Sequence, residues 1–159
     1  MDENRGNRHG GAGEGPVVGV VVGCFYQQIA QDLLDGAMQC LEERGWDPER
    51  VEIVRVPGAW EIPLALDLLA RRGRSVALVA LGAVVRGETP HFEYISAECA
   101  RGVARVTATH GIPVGFGVLT CETIEQARAR SAPGDRNKGR EAAAAALEMA
   151  DLARKLEAE

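Results

Sequence analysis

Four short apolar runs, each followed by a segment with helical periodicity, are the feature that most constrains the fold of this chain. The runs have strand length and predict β-strands at residues 16–23, 51–56, 75–85 and 112–119. Helical spacing of apolar side chains, bounded by capping or glycine signals, predicts helices at residues 27–44, 60–71, 91–109 and 123–130, and from 138 to the C-terminus. Strands that alternate with helices in this way form mainly parallel sheets.

The predicted order of elements favours an α/β fold of the flavodoxin-like type. This is a three-layer sandwich with a four-stranded, mainly parallel sheet in the order 2-1-3-4 and helices on both faces. Ligands of such sheets bind beyond the carboxyl ends of the strands. Four loops meet at that edge, beginning near Cys24, Pro57, Val85 and Thr120.

Composition restricts the class of protein further. With 159 residues, 46% hydrophobic content and a net charge of −5, the chain has the make-up of a soluble globular protein. Residues 1–15 are glycine-rich and poor in apolar side chains, so we expect a disordered tail, followed by one domain over residues 16–159. No basic patch with interleaved aromatics suggests nucleic acid as a partner, and no apolar run has the length of a membrane span. Four cysteines without CxxC or metal-ligand spacing indicate no metal site and a cytoplasmic location.

The stretch 81–94 (LGAVVRGETPHFEY) carries the first candidate site, because it predicts a buried strand, a glycine loop and the start of a helix. Gly87 allows close approach of a ligand, Thr89 suits the N-cap, and Pro90 suits the first helical position. Unpaired N–H groups and the helix dipole would then attract a phosphate or carboxylate. His91, in the first turn, offers proton transfer, since the positive helix end favours its neutral form. His91 could equally be an exposed residue without a function.

Two further loops at the same edge offer groups that could bind a flat, hydroxylated ligand. Phe25 follows the first strand and could stack on a heterocycle, although Phe25 or the adjacent Tyr26 could simply cap the core. Trp60 offers an apolar wall, and Glu61 could accept hydrogen bonds from sugar-like hydroxyls. Compensation of a helix dipole is the plainer explanation for Glu61.

The C-terminal third adds an aromatic residue and several cations. Phe116 lies between Gly115 and Gly117 in the fourth predicted strand, and flanking glycines indicate close approach by another surface. Arg130 lies on the short helix and Lys138 opens the last one. Such cations are usually solvated, but one that faces a phosphate would supply its countercharge.

After residue 15 the chain resembles the 6,7-dimethyl-8-ribityllumazine synthase family almost throughout. The resemblance rests on four motifs in matching order and spacing: PGAWEIP at 57–63, LG…RGETPHF at 81–92, GFGVLT at 115–120, and IEQA with NKG at 124–127 and 137–139. It implies a transferase-type condensation of 5-amino-6-(D-ribitylamino)uracil with 3,4-dihydroxy-2-butanone 4-phosphate, which releases phosphate and water in riboflavin biosynthesis. The resemblance implies no metal and no organic cofactor.

The resemblance also implies a role for each matching residue. Phe25 looks like the aromatic that stacks on the pyrimidine, and His91 like the proton-transfer residue. The part of this chain that looks like the ribityl-binding segment comprises Ala59, Trp60 and Glu61. Backbone groups that would read the pyrimidine edge belong to Ala83, Val84 and Val85. The phosphate would be held by Gly87, Glu88 and Thr89.

Three further residues would come from a neighbouring subunit, because the family assembles as pentamers or as shells of twelve pentamers, with sites at subunit interfaces. These residues are Phe116, Arg130, which would pair with the phosphate, and Lys138. Riboflavin synthase is a partner that the resemblance admits. Cys24, Tyr26 and the loop 131–136 differ from the commonest family pattern, and the size of the assembly stays open.

Two other functions remain open at this point. The archaeal-type riboflavin synthase has the same fold, but His91 and the Trp60–Glu61 segment argue against it. A shell or carrier protein that stores a flavin or another cargo is the alternative from a different class.

Overall fold

A computed structural model describes residues 15–159 and contains one four-stranded parallel sheet. Its order is β2-β1-β3-β4, which confirms the predicted topology. The strands are β1 (Val17–Gly23), β2 (Val51–Val56), β3 (Ser75–Val85) and β4 (Val114–Cys121). Apart from Gly15, the predicted tail 1–15 lies outside the described residues.

Five α-helices cover the sheet, close to the predicted segments. They are α1 (Gln27–Glu43), α2 (Ile62–Arg71), α3 (His91–His110), α4 (Ile124–Ser131) and α5 (Lys138–Glu157). Short 3₁₀ turns at Pro48–Arg50 and Ala59–Glu61 precede β2 and α2. Within residues 15–159, none of these helices combines the length and apolar character that a membrane crossing requires.

Two apolar cores form, one on each face of the sheet. The first packs α1, α4 and α5 against the sheet, with Leu33, Leu41 and Leu81 fully buried. The second packs α2 and α3 on the opposite face, with Ile62 and Leu66 fully buried. The fold class is thus the predicted three-layer α/β sandwich.

The strands differ in length, and this difference leaves one backbone edge unpaired. Pairing between β1 and β3 ends at Val22 and Leu81, whereas β3 continues beside β4 as far as Val85 and Cys121. The last residues of β3 therefore extend past β1 at the carboxyl edge of the sheet. Polar backbone groups on that side lack a strand partner and can bind a ligand.

Some predicted element boundaries differ from the observed ones by one or two residues, and three of the differences have a local reason. The helix expected from Trp60 begins at Ile62, because residues 59–61 form a tighter 3₁₀ turn. β4 begins at Val114 instead of 112, since Pro113 has no N–H to donate to the ladder. Thr89 is not the N-cap of α3; Pro90 takes that position, and no side chain caps the helix.

Candidate functional site

One cavity of about 650 Å³ opens at the carboxyl edge of the sheet, where the loops after β1, β2 and β3 meet. Residues from all three loops and from the first turns of α3 line it. They are Phe25, Tyr26, Pro57, Gly58, Ala59, Trp60, Glu61, Ala83, Val84, Val85, Gly87, Thr89, His91, Phe92 and Ile95. Ten residues singled out in the sequence are among them, since the carboxyl ends of parallel strands share one edge.

Of the two aromatic residues after β1, one packs against the core and the other is exposed at the cavity. The Phe25 side chain is 74% exposed, whereas Tyr26 is half-buried against the core under α1. Their rings meet edge to face, with centroids 5.0 Å apart. Tyr26 therefore anchors the loop, and Phe25 presents a ring to the cavity.

The segment after β2 brings an apolar wall and a carboxylate to the same side of the cavity. Trp60 is 59% exposed, while Glu61 is half-buried. A Cβ placed on Gly58 would lie 3.6 Å from Glu61 Oε2 and 3.9 Å from Phe25 Cβ. The β2 loop and the β1 loop are thus adjacent at Gly58, and Glu61 and Phe25 both line the cavity there.

The unpaired edge of β3 forms the floor of the cavity. The N–H groups of Leu78 and Arg86 donate to Pro113 O and Cys121 O, both at 2.9 Å, so even-numbered residues of β3 direct their backbone groups toward β4. By the two-residue period of a strand, Ala83 and Val85 direct theirs to the opposite side, beyond the end of β1. A planar ligand with donors and acceptors along one edge could pair there as a further strand would.

The N-terminus of α3 faces the cavity as a ready anion site. His91 and Phe92 are its first residues, and the Glu93 N–H closes the first turn by donating to Pro90 O at 3.1 Å. The preceding N–H groups have no helical partner, and the helix dipole adds partial positive charge. A Cβ on Gly87 would meet no atom within 4 Å, so open space lies beside this backbone. His91 itself is exposed in this first turn.

Arg86, which the sequence did not single out, connects three elements beside the cavity. Its Nε donates to Glu122 Oε2 at 2.7 Å, its Nη1 donates to Glu93 Oε1, and its guanidinium carbon lies 4.5 Å from the centroid of the Phe92 ring. The hydrogen bond from Arg86, opposed by partial desolvation, lowers the pKa of Glu93. Glu122 lies 36 residues further along the chain, so no local pattern indicates this contact.

Four of the residues singled out in the sequence do not line the cavity: Glu88, Phe116, Arg130 and Lys138. Glu88 is exposed in the loop before α3. Phe116 is 46% exposed on edge strand β4, because the flanking glycines face away from it toward α5. Those glycines do serve a close approach, since a Cβ on Gly115 would lie 2.0 Å from Ala142 O.

The two cations differ in how they are held. Arg130 donates to Gln126 O at 3.1 Å, and residues 15–159 provide no ion-pair partner for it. Lys138 pairs with Glu141 Oε2 at 2.6 Å on the first turn of α5. The cavity lining described above contains no lysine or arginine.

None of the four cysteines lines this cavity. Cys24, Cys40, Cys99 and Cys121 are free thiols, and burial raises the pKa of Cys99 to about 11. Cys99 is buried in the core under α3. Across the described part of the chain, no three His, Cys, Asp or Glu side chains are grouped to hold a metal ion.

Comparison with known proteins gives a consistent result over nearly the whole chain. The family model described as 6,7-dimethyl-8-ribityllumazine synthase matches residues 15–154. A protein of that name from Halorhodospira halophila (strain DSM 244 / SL1) is 49% identical over 139 residues, which cover 87% of this chain and 89% of the relative. The chain therefore belongs to the 6,7-dimethyl-8-ribityllumazine synthase family, transferase-type condensing enzymes of riboflavin biosynthesis.

Proposed function

We propose that this chain condenses 5-amino-6-(D-ribitylamino)uracil with 3,4-dihydroxy-2-butanone 4-phosphate in the cavity at the carboxyl edge of the sheet. The observation that carries the proposal is the convergence there of an exposed aromatic ring, a carboxylate, an open strand edge, a helix N-terminus and a histidine. These groups match the flat heterocycle, the polyol chain and the phosphate of the two substrates, and the histidine matches the need for proton transfer.

The pyrimidine substrate binds between Phe25 and the floor of the cavity. Stacking on the exposed Phe25 ring suits the heterocycle, and the open backbone groups of Ala83 and Val85 suit its hydrogen-bonding edge. Val84, between them, packs its side chain with the core under α2 and α3 and completes this wall. The ribityl chain then runs along residues 59–61, with the Glu61 carboxylate accepting from its hydroxyls.

The phosphate of the second substrate binds at the N-terminus of α3. Supporting this are the unpaired N–H groups there, the space beside Gly87, and the Thr89 side chain at the rim. Glu88 would contribute only its backbone, because a carboxylate side chain repels a phosphate. A cation is still required for a dianion, and the cavity lining has none.

Arg130 of a neighbouring subunit supplies that cation, with Phe116 and Lys138 of the same neighbour closing the site. Arg130 is exposed and has no carboxylate partner among residues 15–159, so it is available for an anion. The α2 surface adds support for assembly, since Leu64 and Leu68 are 64% and 52% exposed. We therefore propose a homo-oligomer, either a pentamer or a shell of twelve pentamers.

His91 moves protons during the reaction. The 5-amino group of the pyrimidine attacks the ketone and water leaves. Elimination then breaks the C–O bond to phosphate and leaves an enol, which rearranges to a ketone. The second amine attacks that ketone, and loss of a second water closes the lumazine ring. Each step shifts a proton on or off nitrogen, oxygen or carbon, and a histidine lining the cavity can accept and return it. Holding both substrates together contributes more, because favourable intramolecular models gain about 7–11 kcal/mol from proximity.

The proposed location rests on the free thiols, and the proposed partner protein rests on the product of the reaction. Four free cysteines, three of them buried, fit a reducing cytoplasm. Riboflavin synthase, which would consume the lumazine product, is the partner protein that we propose. We retain the prediction that residues 1–15 are a tail outside the catalytic domain 16–159.

A turnover assay with purified protein and both substrates tests this proposal, with formation of the fluorescent lumazine as the readout. Saturable product formation above the uncatalysed rate is expected. Absence of turnover combined with tight binding of a ribitylated ligand would instead favour a flavin carrier or storage shell.

A further inference from the structure

We propose that Arg86 is a positioning residue: its guanidinium holds the phosphate-binding segment 87–90 and the first turn of α3 in their working geometry. The inference rests on the proposed function, because it assigns a role within the same site. It concerns a side chain that neither lines the cavity nor offers its charge to the substrate.

The contacts of Arg86 join three ends of secondary structure. Its backbone N–H holds the end of β4 through Cys121 O, and its Nε reaches the Glu122 carboxylate just beyond that strand. Its Nη1 reaches Glu93 in the first turn of α3, and its guanidinium lies over the Phe92 ring. The residues between these attachments carry the anion site.

Arg86 already forms ion pairs with two carboxylates of its own chain, those of Glu93 and Glu122. The hydrogen bonds that the guanidinium donates to Glu93 and then to Glu122 raise its pKa, so it stays a cation between two carboxylates. One cation between two anions has little left to attract a phosphate. What Arg86 contributes is direction, because the planar guanidinium donates along fixed lines to two acceptors at once.

The segment that Arg86 spans has little other support. Residues 86–90 are all exposed, and a Cβ on Gly87 would meet nothing within 4 Å. Packing therefore does not fix this loop, and polar contacts at its two ends must do so. Loss of the guanidinium would let the N–H donors and His91 drift relative to the open edge of β3.

The test compares Arg86→Gln and Arg86→Lys with Arg101→Gln as a matched control. Arg101 is likewise an exposed arginine that pairs with a glutamate, Glu98, but both lie on α3 and neither lines the cavity. For Arg86→Gln we expect kcat/KM for the phosphorylated substrate to fall roughly 10- to 100-fold, since small misplacements near reacting groups have effects of that size. KM for the pyrimidine should stay within about twofold, because its subsite lies on Phe25 and β3.

Arg86→Lys should resemble Arg86→Gln, because an ammonium cannot reproduce the planar geometry in which the guanidinium donates to Glu93 and Glu122 at once. Arg101→Gln should have the same kinetic constants as the unmodified protein. Full activity of Arg86→Lys would overturn the inference, since charge alone would then suffice. An equal rise in KM for both substrates, with a lower melting temperature, would also overturn it in favour of a general structural role.

Hydrogen exchange of the two bonded amides that flank the segment, those of residue 86 (to Cys121 O) and Glu93 (to Pro90 O), provides a readout that does not depend on turnover. Faster exchange there in Arg86→Gln than in Arg101→Gln is expected, and equal exchange would overturn the inference. An unmodified protein without turnover would count against the proposed function, whereas an active protein with unchanged Arg86 variants would count against this inference alone.

Discussion

The Asn137 side chain holds the connection between α4 and α5 in place through hydrogen bonds. We expect it to contribute strongly to the free energy of unfolding, and its loss to loosen the region that carries Arg130 and Lys138. Asn137 is 1% exposed. Its Nδ2 donates to the carbonyl oxygens of Ser131, Asp32 and Ala132 at 2.7, 3.0 and 3.3 Å, and its Oδ1 accepts from the Arg140 N–H at 3.0 Å. Asn137→Ala leaves these groups without partners, and a buried polar group left unpaired costs about 1–3 kcal/mol. Allowing for entry of water, we expect a loss of about 3 kcal/mol.

Gly36 on α1 provides a second test of this prediction, because the Asn137 side chain occupies the space where a Cβ on Gly36 would lie. A Cβ on Gly36 would lie 2.1 Å from Asn137 Oδ1, 2.4 Å from Cγ and 2.8 Å from Nδ2. Gly36→Ala alone should therefore destabilise by about 1–2 kcal/mol, the cost of overpacking minus the gain of a better helix former. In an Asn137→Ala background the obstruction is gone, and the same change should stabilise by up to about 1 kcal/mol.

Urea unfolding followed by circular dichroism, at one fixed protein concentration, measures the four free energies of this cycle. Gly102→Ala is the matched control, since its Cβ would meet Pro63 instead and should cost the same in both backgrounds. If Gly36→Ala shifts stability equally with and without Asn137, the assignment of this buried network is refuted.

Three further predictions concern catalysis and pH. His91→Ala should slow turnover by about 10²–10⁴-fold without abolishing it, because binding both substrates together is retained; single-turnover kinetics measures this. Arg130→Ala should mainly raise KM for the phosphorylated substrate, by about 10- to 100-fold, and a larger effect on the pyrimidine would contradict the assignment. Burial raises the pKa of Cys99 from 9.0 to about 11, so the folded protein binds this proton more tightly than the unfolded chain. That contribution is complete below pH 9 and is lost as pH rises toward 11; Cys99→Ala should show a shallower decline in unfolding free energy over this range.

The fold was predictable because its signals are local and agree with one another. Runs of valine and alanine at residues 17–23 and 75–85 mark central strands, and glycine at 111 ends a helix in the left-handed conformation. The gathering of Phe25, Glu61 and His91 in one cavity also followed from topology alone, since parallel strands bring successive loops to one edge.

What the sequence did not reveal are contacts between residues far apart in the chain. Arg86 meets Glu122, and Gly36 makes room for Asn137, but neither pair has a periodicity or motif that marks it. The N-cap of α3 was misplaced for a different reason. Thr89 has the right chemistry for a cap, but Pro90 closes the first turn through its own carbonyl oxygen, so the N-cap lies one residue later than predicted.

Mixing two impaired variants, with the phosphorylated substrate held well below its KM for Arg130→Ala, tests the central claim, a condensing site shared between two subunits. Co-expression of His91→Ala and Arg130→Ala chains, carrying different purification tags, would give mixed oligomers. If each site takes His91 from one subunit and Arg130 from its neighbour, random assembly leaves both intact at about a quarter of the interfaces. Lumazine formation should then recover to about that fraction of the unmodified rate. The control pair, His91→Ala with Glu61→Ala, should not recover, because both residues line the cavity of one chain. No recovery with the first pair would contradict a shared site.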